Sequence, residues 1–77
     1  MATGFVLITT APGMEQEVRN ELDSVDKVSN LWMLFGEYDL IAKIQADDEF
    51  SLTKIIVESI RPIKGIVDTK TLLGAEL

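Results

Sequence analysis

The sequence predicts a small α+β domain with the element order β-α-β-β-α-β. Four stretches are rich in apolar, β-branched and aromatic residues, as strands are, and two stretches carry apolar residues at the spacing of amphipathic helices. Proline and glycine stand where the first strand and the second helix should end. With 77 residues, the chain has the length of a single domain over residues 1–77.

The first half of the chain predicts a strand, a helix and a second strand. Thr3 to Thr10 has a continuous apolar centre at Phe5–Ile8, which is typical of a buried central strand. Ala11-Pro12-Gly13 ends it, because proline cannot donate a hydrogen bond to a sheet. The spacing predicts a helix from Met14 to about Val25 and a second strand from Val28 to Phe35.

The second half predicts a strand, a helix and a last strand. After a turn at Gly36–Glu37, a third strand begins at Tyr38 and alternates, with Leu40 and later even-numbered residues facing the core. Asp47 and Asp48 suit the cap of a second helix. We expect its core stripe to consist of Phe50, Thr53, Ile56, Val57, Ile60 and Ile63.

The end of the second helix and the last strand are marked by their own residues. Pro62 and Gly65 should stop the helix. Ile66 to Leu73 then reads as the fourth strand. We expect one side of this strand to carry Val67, Thr69, Thr71 and Leu73.

The predicted order contains two βαβ-like halves, and right-handed crossovers put both helices on one face of one sheet. This is the ferredoxin-like arrangement, a four-stranded antiparallel sheet with two helices on one face. The opposite face would leave Trp32, Leu34 and their neighbours in water, a larger apolar patch than monomers usually expose. We therefore expect a twofold dimer of the dimeric α/β-barrel type.

The composition excludes several classes of function. The sequence has neither cysteine nor histidine, which removes disulfides, thiolate–zinc sites and Cys–His or Ser–His catalytic pairs. A net charge of −6 without a run of basic residues argues against direct binding of nucleic acid. No apolar segment approaches the roughly 20 residues that span a bilayer, and the N-terminus lacks a secretion signal, so we expect a cytoplasmic protein. We expect no cofactor and no metal; Asp47-Asp48-Glu49 suits helix capping better than a cation site.

The candidate binding site is the run Gly36-Glu37-Tyr38-Asp39. Its simpler interpretation is a hairpin turn with solubilising carboxylates. Alternatively, the amides of the glycine turn bind an anion while a carboxylate pairs with a cation, which would suit a free amino acid. Thr69 and Thr71 could add hydroxyls, although threonine is also common in strands for packing reasons alone.

Three segments of the chain together resemble the effector-binding (RAM) domain of Lrp/AsnC regulators. They are Ile8-Thr9-Thr10-Ala11-Pro12-Gly13-Met14-Glu15, Gly36-Glu37-Tyr38-Asp39, and the run from Ile60 to Thr71. The resemblance implies sheet-to-sheet dimers, rings of dimers, and small effectors at the boundaries between dimers. By similarity, Gly36, Glu37, Tyr38, Asp39, Thr69 and Thr71 would face the ligand. The chain begins at the first strand, without the helix-turn-helix domain of full-length members, so we expect a stand-alone form.

The leading hypothesis from the sequence is an oligomeric module that binds an amino acid or related metabolite. By resemblance, full-length Lrp/AsnC regulators are a further partner, through mixed oligomers. The alternatives are an assembly module without a ligand and, less favoured than both, a small dimeric α/β-barrel enzyme in which Glu37 and Asp39 serve as a proton-transfer pair. We predict no catalytic residues.

Overall fold

A computed structural model describes residues 1–74, which form a four-stranded antiparallel sheet covered by helices on one face. The strands are β1 (Ala2–Thr10), β2 (Val28–Met33), β3 (Leu40–Ala46) and β4 (Ile66–Leu73). The helices are α1 (Glu15–Asp23) and α2 (Glu49–Ile55), and α2 continues into a π-helical turn over Ile56–Ile60. The strand order is β2-β3-β1-β4, which confirms the predicted ferredoxin-like fold.

The apolar core lies between the sheet and the helices. β1 is central and alternates, so that Val6, Ile8 and Thr10 are buried while their neighbours are partly exposed. α1 contributes Val18 and Leu22 to this core. The other buried apolar residues come from β3 and from the second helical segment: Leu40, Ala42, Ile44, Ala46, Leu52, Ile56 and Ile60.

The predicted core stripe of the second helix is wrong in part. Ile56 and Ile60 are buried, but Phe50 is 79% exposed and Val57 46% exposed, and Leu52 takes their place in the core. Leu52, Ile56 and Ile60 recur every four residues, and the π-helical turn, closed by Arg61 N donating to Ile56 O at 2.9 Å, keeps that spacing on one face. Within residues 1–74 no helix combines the length and the apolarity needed to cross a membrane.

The connection between β2 and β3 is a six-residue loop, longer than the predicted turn. β2 ends at Met33 and β3 begins at Leu40, so the loop covers residues 34–39. Gly36 has φ +126°, a backbone conformation that favours glycine, as expected of a turn. The alternation predicted for β3 is confirmed, since Leu40, Ala42 and Ile44 are all buried.

An irregularity in the pairing of β1 with β4 changes which residues share a side. Thr9 lies opposite Asp68 but Thr10 lies opposite Ile66, so Val67 is an extra residue at a β-bulge. The predicted grouping of Val67 with the threonines is therefore wrong. Thr69 and Thr71 do share a side: they lie opposite Ile8 and Val6, on the helix-covered face of the sheet.

The other face of the sheet, here called the open face, is covered by none of the helices found in residues 1–74. Its apolar residues are Phe5, Leu7, Trp32, Ile41 and Leu72. Leu7, Ile41 and Trp32 stand in one row across three strands, and Trp32 remains 46% exposed. Partly buried side chains of this size, lying side by side, make a continuous apolar surface.

Candidate functional site

The loop over residues 34–39 is fixed to the sheet at both ends. Leu34 N donates to Asp39 O at 2.8 Å, which closes the loop, and Asp39 N donates to Ile8 O at 2.9 Å, which ties it to β1. Because these bonds satisfy backbone groups at the base, the loop has a defined exit from the sheet.

The side chain of Asp39 adds a second connection to β1. Its Oδ2 accepts hydrogen bonds from Thr10 N at 2.8 Å and from Thr10 Oγ1 at 3.2 Å. The pairing of β3 with β1 ends at Ile8. The carboxylate of Asp39 therefore supplies the acceptor that Thr10 N would otherwise lack on this side of β1. Thr10 is buried, and a buried N–H needs such a partner. Both contacts use Oδ2, which leaves Oδ1 outside this pair of bonds.

The tip of the loop projects away from the rest of the chain. Phe35, Gly36 and Glu37 are exposed, and Phe35 is fully so. A side chain placed on Gly36 would meet nothing within 4 Å. Tyr38 and Asp39 are partly buried. The four predicted residues of this turn thus divide into an exposed tip and an anchored base.

Thr69 and Thr71 lie at the same end of the sheet but are separated from the loop by β1. Thr69, Ile8 and Leu40 lie side by side on the adjacent strands β4, β1 and β3. Thr69 is therefore two strand spacings, about 10 Å, from Leu40, the residue that follows Asp39. Thr71 lies one pair further into the sheet. Within a single chain, the six predicted residues therefore flank β1 on two sides and do not line one pocket.

The hydroxyl of Thr71 is buried, and among the described residues its Oγ1 has no hydrogen-bond partner. Leaving a buried hydroxyl without a partner costs about 1–3 kcal/mol. Thr71 thus has an unpaired hydroxyl on the helix-covered face of the sheet, within the described residues.

A cavity of about 380 Å³ lies beside Thr69, at the start of β4. Its walls are Arg61, Ile66, Val67, Asp68 and Thr69, and it is broadly open to solvent. Sequence reasoning selected Thr69 but missed Arg61 and Asp68. Their opposite charges, seven residues apart around a chain reversal, were the available signal. The β-bulge beside Asp68 leaves no simple mark in the sequence.

Two further cavities lie elsewhere and contain none of the predicted site residues. One, of about 390 Å³, lies between the start of β1 and the start of α2, and the other, of about 660 Å³, between α1 and the chain that follows the π-helical turn. Neither combines a cationic side chain with the loop or with the threonines of β4.

The acidic run before α2 serves as a helix cap. Asp48 is the N-cap residue and its carboxylate accepts from Ser51 N at 2.7 Å. The hydrogen bonds from Ser51 lower the pKa of Asp48 below its ordinary value. Residues 1–74 contain no group of three or more acidic side chains placed to hold a metal ion.

Several known proteins are similar to this chain in sequence and in structure. The sequence profile of the Lrp/AsnC ligand binding domain matches residues 3–74. An HTH-type transcriptional regulator of Pyrococcus furiosus is 34% identical over 75 residues, which are 94% of this chain and 50% of that protein. The crystal structure of FFRP-DM1 superposes with a TM-score of 0.93 at 37% identity, covering 97% of this chain and 100% of that one.

Some of the similar proteins are longer than this chain. The chain spans about half the length of the curated regulators it matches first, and 12% of a homocitrate synthase of Saccharolobus islandicus, with 39% identity over 56 residues. A transcriptional regulator of Neisseria meningitidis in complex with L-Met superposes with a TM-score of 0.85. It is 13% identical, and the match covers 97% of this chain and 50% of that one, so this likeness concerns the fold alone.

Proposed function

Because the chain belongs to the Lrp/AsnC ligand binding domain family, we propose that it is an effector-binding module, without a catalytic step of its own, that pairs with a second copy and binds a free amino acid at subunit boundaries. The observation that carries the proposal is the placement of the loop and of the β4 threonines at one end of the sheet, on opposite sides of β1. In an oligomer, the loop of one subunit and the β4 threonines of another would together form one binding site.

The open face supports pairing with a second copy. Its row of Leu7, Ile41 and Trp32 is apolar, and helices already cover the other face. A domain of about this size buries only about 60% of the surface of its unfolded chain, so a shared interface adds stability that the fold needs. A twofold dimer would pack one open face against another.

The loop supports binding of the charged groups of an amino acid. The exposed amides around Gly36 suit a carboxylate, as backbone N–H groups do in anion sites. Glu37 is exposed at the tip and Asp39 keeps Oδ1 outside its bonds to Thr10, so either carboxylate can pair with the ammonium group. Tyr38, Thr69 and Thr71 would complete the proposed contacts. Thr71 offers a hydroxyl whose partner is missing within the described chain.

Two observations support the larger assembly and the choice of ligand. Phe35 is fully exposed at the loop tip, where a ring of dimers would give it a surface to pack against. L-Met is bound by a regulator of the same fold.

The test is isothermal titration calorimetry of the chain with each of the twenty L-amino acids, together with sedimentation velocity. We expect saturable heat with at least one amino acid and a mass of two subunits or a multiple of two. Silence across the whole panel in an oligomer would favour the ligand-free assembly module. A substrate screen that detects turnover, lost on Glu37→Gln, would support the enzyme alternative.

The regulatory partner that we propose is a full-length Lrp/AsnC regulator, engaged through mixed oligomers. The 34% identity to such a regulator supports the idea that the open faces of the two proteins can pack against each other. Native mass spectrometry of this chain mixed with a full-length regulator from the same genome should then show masses that contain both chains. A spectrum of separate homo-oligomers, after incubation long enough for subunit exchange, would contradict the partnership without affecting effector binding.

A further inference from the structure

We propose that β4 forms a second contact between copies of this chain, in which the edges of two β4 strands pair antiparallel about Thr69 and join open-face dimers through one continuous sheet. The inference rests on the open-face pairing of the proposed function. It adds a separate interface, with a defined register and the charges that set it, and it needs no effector.

Strand β4 lies at an edge of the sheet. The strand order β2-β3-β1-β4 gives it β1 as its hydrogen-bonded neighbour on one side, and residues 1–74 provide no strand on the other side. The strand is eight residues long, Ile66–Leu73, and contains no proline. A long edge strand of this kind is a template for pairing with a further strand.

The register of β4 against β1 decides which backbone groups are available at this edge. Gly74 N donates to Thr3 O at 2.8 Å, so the backbones of these two residues face each other. Facing pairs alternate along antiparallel strands, so Lys70 and Asp68 also turn their N–H and C=O groups toward β1. Thr69, which lies between them, therefore points its N–H and C=O groups away from β1, at the edge.

Two exposed charges flank Thr69 on the open face. Asp68 lies opposite Thr9 and Lys70 opposite Leu7, which places both charged side chains on the side of the sheet that carries Leu7. If two β4 strands pair antiparallel about Thr69, Asp68 of each copy lies opposite Lys70 of the other. Unlike charges directly opposite each other stabilise a strand pair, and twofold symmetry provides this contact twice.

The charges favour this register over its neighbours. A pair centred on Asp68 would bring two carboxylates together, and a pair centred on Lys70 would bring two ammonium groups together. A pair centred on Thr71 would leave both charges without an opposite charge. Among these four registers, the one about Thr69 alone opposes unlike charges. It pairs residues 67–71 of each copy and begins at the β-bulge.

The edge contact is small, so it depends on the open-face dimer. One short strand from each copy provides far fewer than the roughly 20–30 residues that each partner brings to a standard interface. A single subunit therefore stays unpaired at micromolar concentration. An open-face dimer carries two β4 edges, and two contacts made together bind much more tightly than one. We therefore expect assemblies of at least four subunits.

The first experiment reverses the charges at the edge and measures mass by sedimentation velocity. The variants are Asp68→Lys and Lys70→Asp, each alone and in an equimolar mixture. The matched controls are Lys54→Asp and Asp47→Lys, at exposed positions outside β4. Thermal melting followed by circular dichroism checks that every variant folds.

We expect at least four subunits for the unchanged chain and for both controls. Asp68→Lys and Lys70→Asp should each fall to two subunits, because like charges then lie opposite each other across the edge. Their mixture should return to four or more subunits, since every lysine of one variant then faces an aspartate of the other. A general disturbance of the fold would not be repaired by mixing two variants.

The second experiment detects the register directly. The chain has no cysteine, so one cysteine at a time can be introduced into β4. The facing residues of a hydrogen-bonded pair have Cα atoms about 5.5 Å apart, within the range of a disulfide. On mild oxidation we expect Thr69→Cys to form a covalent dimer, seen by non-reducing electrophoresis. The matched variants Lys70→Cys and Thr71→Cys, which report the neighbouring registers, should remain single chains.

Several outcomes would overturn the inference. If both charge variants keep the mass of the unchanged chain, the edge of β4 is not the contact. If their mixture stays at two subunits, or if Lys70→Cys or Thr71→Cys cross-links in place of Thr69→Cys, the register is wrong. If the unchanged chain has two subunits, the edge is left for an extended segment of another protein, and the open-face pairing stands. A single subunit would contradict the open-face pairing, and this inference would fail with it.

Discussion

At the scale of single residues, Asp39 joins two roles that a sequence pattern cannot separate. Its position after a glycine turn predicted a carboxylate facing a ligand, but its Oδ2 accepts both polar hydrogens of Thr10. Carboxylates near turns commonly satisfy backbone N–H groups. Asp39 is therefore an anchor of the loop in the folded chain, and its proposed contact with an effector depends on the other oxygen.

Replacing Asp39 tests both roles at once. Asp39→Ala should lower the free energy of unfolding by about 1–3 kcal/mol, because Thr10 N loses its acceptor. Urea denaturation measures this loss, and Asp39→Asn, which keeps one acceptor oxygen, should lose less. We expect both variants to bind the effector more weakly with an unchanged sedimentation mass. Normal binding to Asp39→Asn would restrict the carboxylate to its structural role.

Thr71 permits a prediction in which stability and binding change in opposite directions. Thr71→Val removes a buried hydroxyl that has no partner among the described residues, so the free energy of unfolding without effector should rise by about 1 kcal/mol. Affinity for the effector should fall about tenfold, the equivalent of one hydrogen bond. Chemical denaturation and calorimetry on the same sample measure the two effects. A fall in stability would mean that the hydroxyl already has a partner.

At the scale of elements, the connection from the second helical segment to β4 depends on Gly65. Its φ is +101°, and a Cβ there would lie 2.9 Å from Val18 Cγ2 and 3.1 Å from Met14 Cβ. Gly65→Ala should therefore cost more than the roughly 1–3 kcal/mol of backbone strain alone. Gly36→Ala is the matched control, because its φ is also positive but its Cβ would meet nothing. Equal losses of unfolding free energy in the two variants would contradict the packing argument.

The cap of α2 gives a pH dependence whose sign follows from its pKa. The hydrogen bonds from Ser51 lower the pKa of Asp48 in the folded chain. The unfolded chain therefore holds the proton more tightly, and the stabilisation is present above the ordinary carboxyl pKa, about 4, and is lost as pH falls through the lower folded value. Asp48→Asn keeps an N-cap and removes this titration. Its melting temperature should consequently fall less between pH 5 and pH 2 than that of the unchanged chain, measured by circular dichroism.

Some features of the strands and helices could be predicted from the sequence, and others depend on packing. Strand β4 was predicted at its observed bounds, Ile66–Leu73, because β-branched residues follow a clear helix stop. The predicted stripe of the second helix left out Leu52, which is buried because it packs against Gly4, a residue without a side chain. The same limit applies to the site. The turn and Thr69 follow from residue types, whereas the bulge beside Asp68 depends on how β4 pairs with β1.

At the scale of the whole molecule, the covered and open faces of the sheet predict how copies associate. We expect Trp32→Glu, on the open face, to reduce the sedimentation mass to one subunit at micromolar concentration, because a buried unpaired charge costs about 3–5 kcal/mol. Phe50→Glu is the control: Phe50 is 79% exposed on the helical side, so the assembly should keep its mass. The melting temperature of the unchanged chain should also rise with concentration, since dimerisation stabilises only the folded state. A folded single subunit across this concentration range would contradict pairing through the open face, and the half-sites on either side of β1 would then have no second subunit to join them.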